Sequence, residues 1–201
     1  MTGGLWIGVD PGGVKCFGVA ILDAGGDCHT RSVNCVDEAI DIVRSRVSVT
    51  PAGVGVDAPL WWSSGPAGCR RADQWIRERY QLPSRNVQSV NSMWGAVIAQ
   101  GMMFVARLRE LFPNVPVTEA HPKAVLVALG RERWTDYFRD VRTEITVDST
   151  PDHERDAVIA ALAAREGFQG RWTRNLALDR LPSEQHPGAH WLAPVQYFWP
   201  E

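Results

Sequence analysis

Three short apolar segments in this 201-residue chain each end in an acidic residue, and this pattern limits the possible folds most strongly. The residue pairs are Val9-Asp10, Val56-Asp57 and Thr118-Glu119. Each segment has the length and composition of a buried β-strand. Ligands bind at the carboxyl ends of the parallel strands of an open α/β sheet, so we expect these carboxylates to share one crevice.

The order of elements predicts a mixed sheet flanked by helices. Two apolar runs separated by P-G-G-V-K predict an antiparallel hairpin, and a helix followed by a strand then favours a parallel crossover. The predicted strands are 5–10, 16–23, 29–33, 53–57 and 115–120, and the predicted helices are 36–47, 70–80, 92–111, 123–130 and 151–167. The fold class is therefore α/β, with antiparallel hairpin strands followed by parallel strands.

The length fits a single domain over residues 1–201, and a hydrophobic content of 45% supplies its core. Residues 58–91 form an insertion rich in arginine and tryptophan, and residues 170–201 form a tail packed on the domain. The anchors expected for this tail are Trp172, Leu176, Trp191, Tyr197 and Phe198. The segment 131–146 matches no single pattern.

Composition also bears on location and partners. The longest apolar stretch, 96–108, contains Gln100, Gly101 and Arg107, so no membrane span is predicted. The first residues lack the features of a signal peptide, and the four cysteines form no C-x-x-C pair, so we expect reduced thiols in a cytoplasmic protein. A net charge of −2 excludes a strongly basic surface, so any contact with nucleic acid must be local.

A fourth carboxylate comes from the last predicted helix, where Asp156 shares a face with His153 three residues earlier. Taken singly, each acid has a simpler explanation, because Asp10 before Pro-Gly fits a turn and Asp57 before Ala-Pro fits a strand end. Four acids at the ends of strands and at the start of a helix together favour a shared metal site over four separate explanations. Crowded carboxylates need a cation, and oxygen ligands with open positions suit Mg²⁺ or Mn²⁺.

The insertion places aromatic rings beside positive charges. Its tryptophans are Trp61, Trp62 and Trp75, and its arginines are Arg70, Arg71, Arg77, Arg79 and Arg85. Guanidinium groups pair with phosphates and indoles stack on bases, so the segment is a candidate for holding a nucleic-acid strand. The alternative, equally compatible with the sequence, is that Arg77 pairs with Asp73 and the tryptophans cover the core.

Several motifs along the chain resemble those of the DUF429 proteins, a family of predicted nucleases with a ribonuclease H-like fold. They are G-V-D-P-G from Gly8, V-D-A-P-L from Val56, C-R-R-A-D-Q-W-I-R from Cys69, T-E-A-H-P-K-A from Thr118 and H-E-R-D-A-V-I-A-A from His153. The chain is more distantly similar to Holliday-junction resolvases, whose last helix carries an acid or histidine three residues before an Asp-Ala pair. This resemblance implies Asp156 as the last metal ligand, after Asp10, Asp57 and Glu119.

The motifs and the resemblance together predict a metal-dependent nuclease that hydrolyses phosphodiester bonds in DNA or RNA. Asp10, Asp57, Glu119 and Asp156 are expected to hold one or two Mg²⁺ or Mn²⁺ ions, with His153 moving a proton or orienting water. The residues expected to bind substrate phosphates are Lys15, Arg70, Arg71 and Arg77. Two alternatives remain open, a catalytically silent binding or regulatory domain and an actin-like phosphotransferase, although the latter needs two such domains.

Overall fold

The sheet has five strands in the order β3-β2-β1-β4-β5 in the computed structural model, which describes residues 4–65, 67–130, 151–188 and 191–201. The strands are β1 Trp6–Asp10, β2 Phe17–Leu22, β3 Cys28–Val33, β4 Gly53–Val56 and β5 Val117–Glu119. The first three are antiparallel, whereas β4 runs parallel to β1 and β5 parallel to β4. This confirms the α/β ribonuclease H-like mixed sheet.

Five helices cover the sheet within the described residues. They are α1 Val36–Arg46, α2 Arg71–Tyr80, α3 Gly95–Leu111, α4 Pro122–Ala128 and α5 Asp152–Phe168. No described helix combines the length and the apolar composition that a membrane crossing requires. The segment 131–146 lies outside the described residues.

Alternation along β1 separates the two faces of the sheet. Ile7 and Val9 are buried in the main core with residues of α1 and α3, while Trp6 packs in a smaller cluster with residues of α5. Successive side chains of a strand point to opposite faces, so Gly8 and Asp10 lie on the same face as Trp6. Asp10 therefore faces α5.

Helix α5 lies directly against glycines of three strands. An added Cβ would overlap the backbone oxygen of Ala157 at Gly8, that of Ala160 at Gly55 and that of His153 at Gly18. Gly8 and Gly55 are neighbours in the register of β1 and β4, and the facing residues of α5 are alanines. Small residues on both surfaces allow the helix backbone to contact the sheet backbone.

The tail packs beside β5. Its two short strands, β6 Arg174–Asn175 and β7 Phe198–Trp199, pair with each other, and Gln196 forms a parallel bridge with Thr118. Trp172, Leu176 and Tyr197 are buried and Phe198 is half-buried, as expected for anchors. Trp191 is not an anchor, because it is 63% exposed and its neighbour Leu192 fills the core position.

The contact between α5 and the glycines predicts that Gly55→Ala destabilises the protein. The added methyl group must push α5 away from β4, and overpacking of this kind costs about 1–3 kcal/mol. Urea denaturation measures the change in the free energy of unfolding. Gly95→Ala is the matched control, because a Cβ at Gly95 meets nothing within 4 Å. An equal effect of the two substitutions would contradict the close contact.

Candidate metal centre

Three aspartates converge where β1, β4 and α5 meet. Asp10 is the last residue of β1, Asp57 follows β4 directly, and Asp156 lies in the second turn of α5. One carboxylate oxygen from each lies within 4.8 Å of the other two. We call this group the aspartate triad. Of the four carboxylates in the expected set, the structure brings these three together.

Burial makes the triad electrostatically unfavourable. The pKa of Asp57 is raised well above its usual value by burial and by the charges of Asp10 and Asp156. Burial, together with the charge of Asp10, raises the pKa of Asp156 to about 7. Burial also raises the pKa of Asp10, although the hydrogen bond from His153 opposes it. Ionising all three groups therefore requires positive charge nearby.

Two cations of the chain lie beside the triad. His153 Nδ1 is 2.6 Å from Asp10 Oδ2, and this hydrogen bond raises the pKa of His153. The Lys123 ammonium is 3.7 Å from Asp156 Oδ2, and the lysine side chain is 69% exposed. Both groups compensate only part of the charge, because they supply at most two positive charges against three carboxylates.

The triad fits a hard divalent cation. Asp156 is 2% exposed, yet its Oδ1 is buried without a hydrogen-bond partner among the described residues. A buried carboxylate oxygen without a partner is costly, and coordination of a cation would satisfy it. Three carboxylates and no sulfur or imidazole ligand in the group favour Mg²⁺ or Mn²⁺.

Glu119 does not join the triad. It is in register with Val56, one residue before Asp57, so its side chain leaves the sheet on the opposite face from Asp57. Both of its carboxylate oxygens accept hydrogen bonds from Arg70, at 2.6 and 2.8 Å, and one also accepts from the Leu60 N–H. Glu119 also borders the cavity beside the triad, but it is a hydrogen-bond partner of Arg70 and not a member of the triad.

Arg70 occupies the core instead of a surface that phosphates can reach. Its side chain is 2% exposed, and its five N–H donors bind Asp73, Glu119 and the Trp61 carbonyl. A guanidinium has five donors in total, so Arg70 has none left for a phosphate in this arrangement. Its charge also lies 4.2 Å from the centre of the Trp61 ring.

The other residues expected to bind phosphates, Lys15, Arg71 and Arg77, do not line the cavity beside the triad. Arg71 is 3.4 Å from Glu78, and Arg77 donates to the Val87 carbonyl and to Cys69 Sγ. Arg77 therefore does not pair with Asp73, which binds Arg70 instead. Lys15 is exposed on the turn after β1, with a left-handed backbone at φ 60°.

Two of the three tryptophans of the insertion, Trp61 and Trp75, follow the core alternative. Trp61 is fully buried, and its Nε1 donates to Glu184 of the tail. Trp75 is half-buried and packs against Tyr80 and Trp199, and Arg174 lies over its ring at 5.4 Å. Trp61 therefore has no face open to a base.

A cavity of about 690 Å³ opens beside the triad. Lys123, Arg85 and Trp94 line it. Arg85 was among the arginines expected to hold a nucleic-acid strand, whereas the sequence analysis gave Lys123 and Trp94 no role. Signals for two of them existed. Lys123 stands in the motif T-E-A-H-P-K-A, and Trp94 is a large aromatic residue that falls outside the apolar periodicity of the helix it precedes.

Comparison with known proteins identifies one family. A family model described as "Protein of unknown function (DUF429)" matches residues 8–180. No curated protein and no solved structure shows significant similarity to the chain. The matched range contains the five-stranded sheet except the first two residues of β1, helices α1 to α5 and every residue of the triad.

The raised pKa values predict how stability without metal depends on pH. A carboxyl whose pKa is higher in the folded state than in the unfolded chain stabilises the fold at low pH, and this contribution is lost as pH rises through the folded pKa. For Asp156 the loss extends from about pH 4 to about pH 7. In EDTA, the melting temperature of the wild type should therefore fall more between pH 5 and pH 8 than that of Asp156→Asn. Parallel pH profiles of the two proteins would contradict the shifted pKa.

Proposed function

The chain belongs to the DUF429 family, and we propose that it is a Mg²⁺- or Mn²⁺-dependent nuclease that hydrolyses phosphodiester bonds in DNA or RNA. The observation that carries this proposal is the aspartate triad with its partnerless buried oxygen on Asp156. Acids that serve only the fold have partners in this protein, as Glu119 has in Arg70. Three crowded carboxylates that His153 and Lys123 compensate only in part are a costly arrangement that a catalytic ion would explain.

Asp10, Asp57 and Asp156 would hold the ion or ions. A bound divalent ion supplies Lewis acidity toward a phosphate and makes water a better nucleophile near neutral pH. His153 remains the candidate for orienting water or moving a proton, since it lines the cavity beside Asp10. One oxygen of each of the three carboxylates already lies within 4.8 Å of the other two.

Most of the residues expected to bind substrate phosphates do not line the cavity, and two other cations do. Lys123 and Arg85 both line the cavity and are exposed, so they replace Arg70 as the candidates for phosphate contacts. A local pair of cations at the cavity suits a protein whose net charge is −2. Nucleic acid is the partner that this distribution favours, with contacts confined to the site.

A cytoplasmic location belongs to the same proposal. All four cysteines are free thiols in the structure. Disulfides are rare where glutathione and thioredoxin keep thiols reduced, so this state is compatible with the cytoplasm.

Purified protein incubated with labelled DNA or RNA tests the nuclease proposal. Mg²⁺ or Mn²⁺ should support cleavage, EDTA should stop it, and Asp57→Asn should lower the rate by about 10²-fold or more while the protein stays folded. The matched control is Asp41→Asn, an exposed aspartate on α1 that should keep the wild-type rate. Single strands, duplexes and branched DNA should all be tried as substrates.

Two results would contradict the proposal. If the protein binds metal saturably but cleaves no nucleic acid, the silent binding domain becomes the better explanation. If Asp57→Asn cleaves as fast as Asp41→Asn, the activity does not come from the triad.

A further inference from the structure

The cavity beside the triad has a second wall that is apolar. Its apolar residues are Pro11, Leu82, Met93, Trp94, Val97 and Val127. The aspartates, His153 and Lys123 line the same cavity, so acidic and apolar surfaces share one space. A ligand that fills it must therefore present both a group for the triad and a flat or apolar group for this wall.

Trp94 is the most exposed residue of the apolar wall, with 81% of its surface accessible. It stands at the N-cap of α3 in an extended conformation, and the space around the next residue, Gly95, is open. Tryptophan is among the largest apolar side chains, and leaving one in water forgoes the stabilisation that burial gives. Trp61 and Trp199 show that this chain buries such rings where the fold can use them.

Two exposed cations line the same cavity as Trp94 and can contact an anionic ligand. Arg85 forms no ion pair with any described residue. Lys123 contacts Asp156, with its ammonium 3.7 Å from Oδ2. An exposed indole together with cations that can reach phosphates is the combination by which proteins hold unpaired bases.

We propose that Trp94 stacks on an unpaired base of a single-stranded DNA or RNA segment while Arg85 and Lys123 contact its phosphates. This inference rests on the proposed nuclease function and specifies its substrate. A base inside a duplex is stacked on both faces and offers none to an indole, whereas every unpaired base has a free face. The cavity of about 690 Å³ lies in the range of small-molecule pockets, about 300–1,000 Å³. A pocket of this size can take a single nucleotide but not a duplex.

Binding of fluorescently labelled 12-nucleotide strands of DNA and of RNA, followed by anisotropy, tests the inference. The full chain is used with Ca²⁺, and a gel confirms that the strand remains intact. Trp94→Ala should weaken binding by about 5- to 150-fold, the range measured for loss of one base–aromatic stack. Trp94→Phe should retain most of the affinity, because it keeps an aromatic face.

Trp191→Ala is the matched control, because Trp191 is also exposed, at 63%, and does not line the cavity. It should bind within about twofold of the wild type, as expected for a residue outside the contact. A strand of the same length built from abasic nucleotides supplies a second control. The wild type and Trp94→Ala should bind this abasic strand with the same affinity, because no base remains to stack on the indole.

Four results would overturn the inference. The first is that Trp94→Ala and Trp191→Ala bind the strand equally well, and the second is that Trp94→Ala loses as much affinity for the abasic strand as for the normal strand. The third is that a duplex competes for binding as strongly as the single strand does, and the fourth is that the protein binds no strand at all. Failure of the nuclease proposal is separate. Binding that depends on Trp94 without cleavage counts against the chemistry alone, and cleavage that is indifferent to Trp94 counts against the base site alone.

Discussion

The contact between α5 and the glycines of the sheet determines the geometry of the whole site. Gly8 and Gly55 let the backbone of α5 approach β1 and β4 more closely than any side chain would allow. This approach brings Asp156 to the ends of the two strands that carry Asp10 and Asp57. A helix held one side chain further away would leave the three carboxylates too far apart to share an ion.

The buried acids of the protein form two groups that differ in their hydrogen-bond partners. Glu119 and Asp73 share Arg70, which donates two hydrogen bonds to each carboxylate, and the network joins the insertion to β5. The triad receives only one contact each from His153 and Lys123, and Asp156 Oδ1 receives none from the described residues. Folding thus satisfies the first group internally, whereas the second needs a ligand. This contrast separates the acids that stabilise the fold from the three that we propose bind a metal ion.

Local patterns in the sequence predicted most of the fold. The hairpin, the parallel order of β1, β4 and β5, and helices α1, α2 and α5 lie within a few residues of the predicted ranges, because apolar periodicity and strand-end acids are local signals. Glu119 differs for a reason that no local pattern contains. The register of β5 against β4 decides which face a strand-end side chain takes, and a shift of one residue reverses it. Arg70 likewise finds its partner 49 residues away, and that pairing is visible only after folding.

A crystal structure of the protein with Mn²⁺, with the anomalous signal of the metal measured, would show whether the triad binds an ion. We expect an anomalous peak bounded by oxygens of Asp10, Asp57 and Asp156 at about 2.1 Å, with Asp156 Oδ1 among the ligands. We also expect that Glu119 stays on Arg70. No peak at the triad under saturating Mn²⁺, or a peak ligated by Glu119 in its place, would contradict the account.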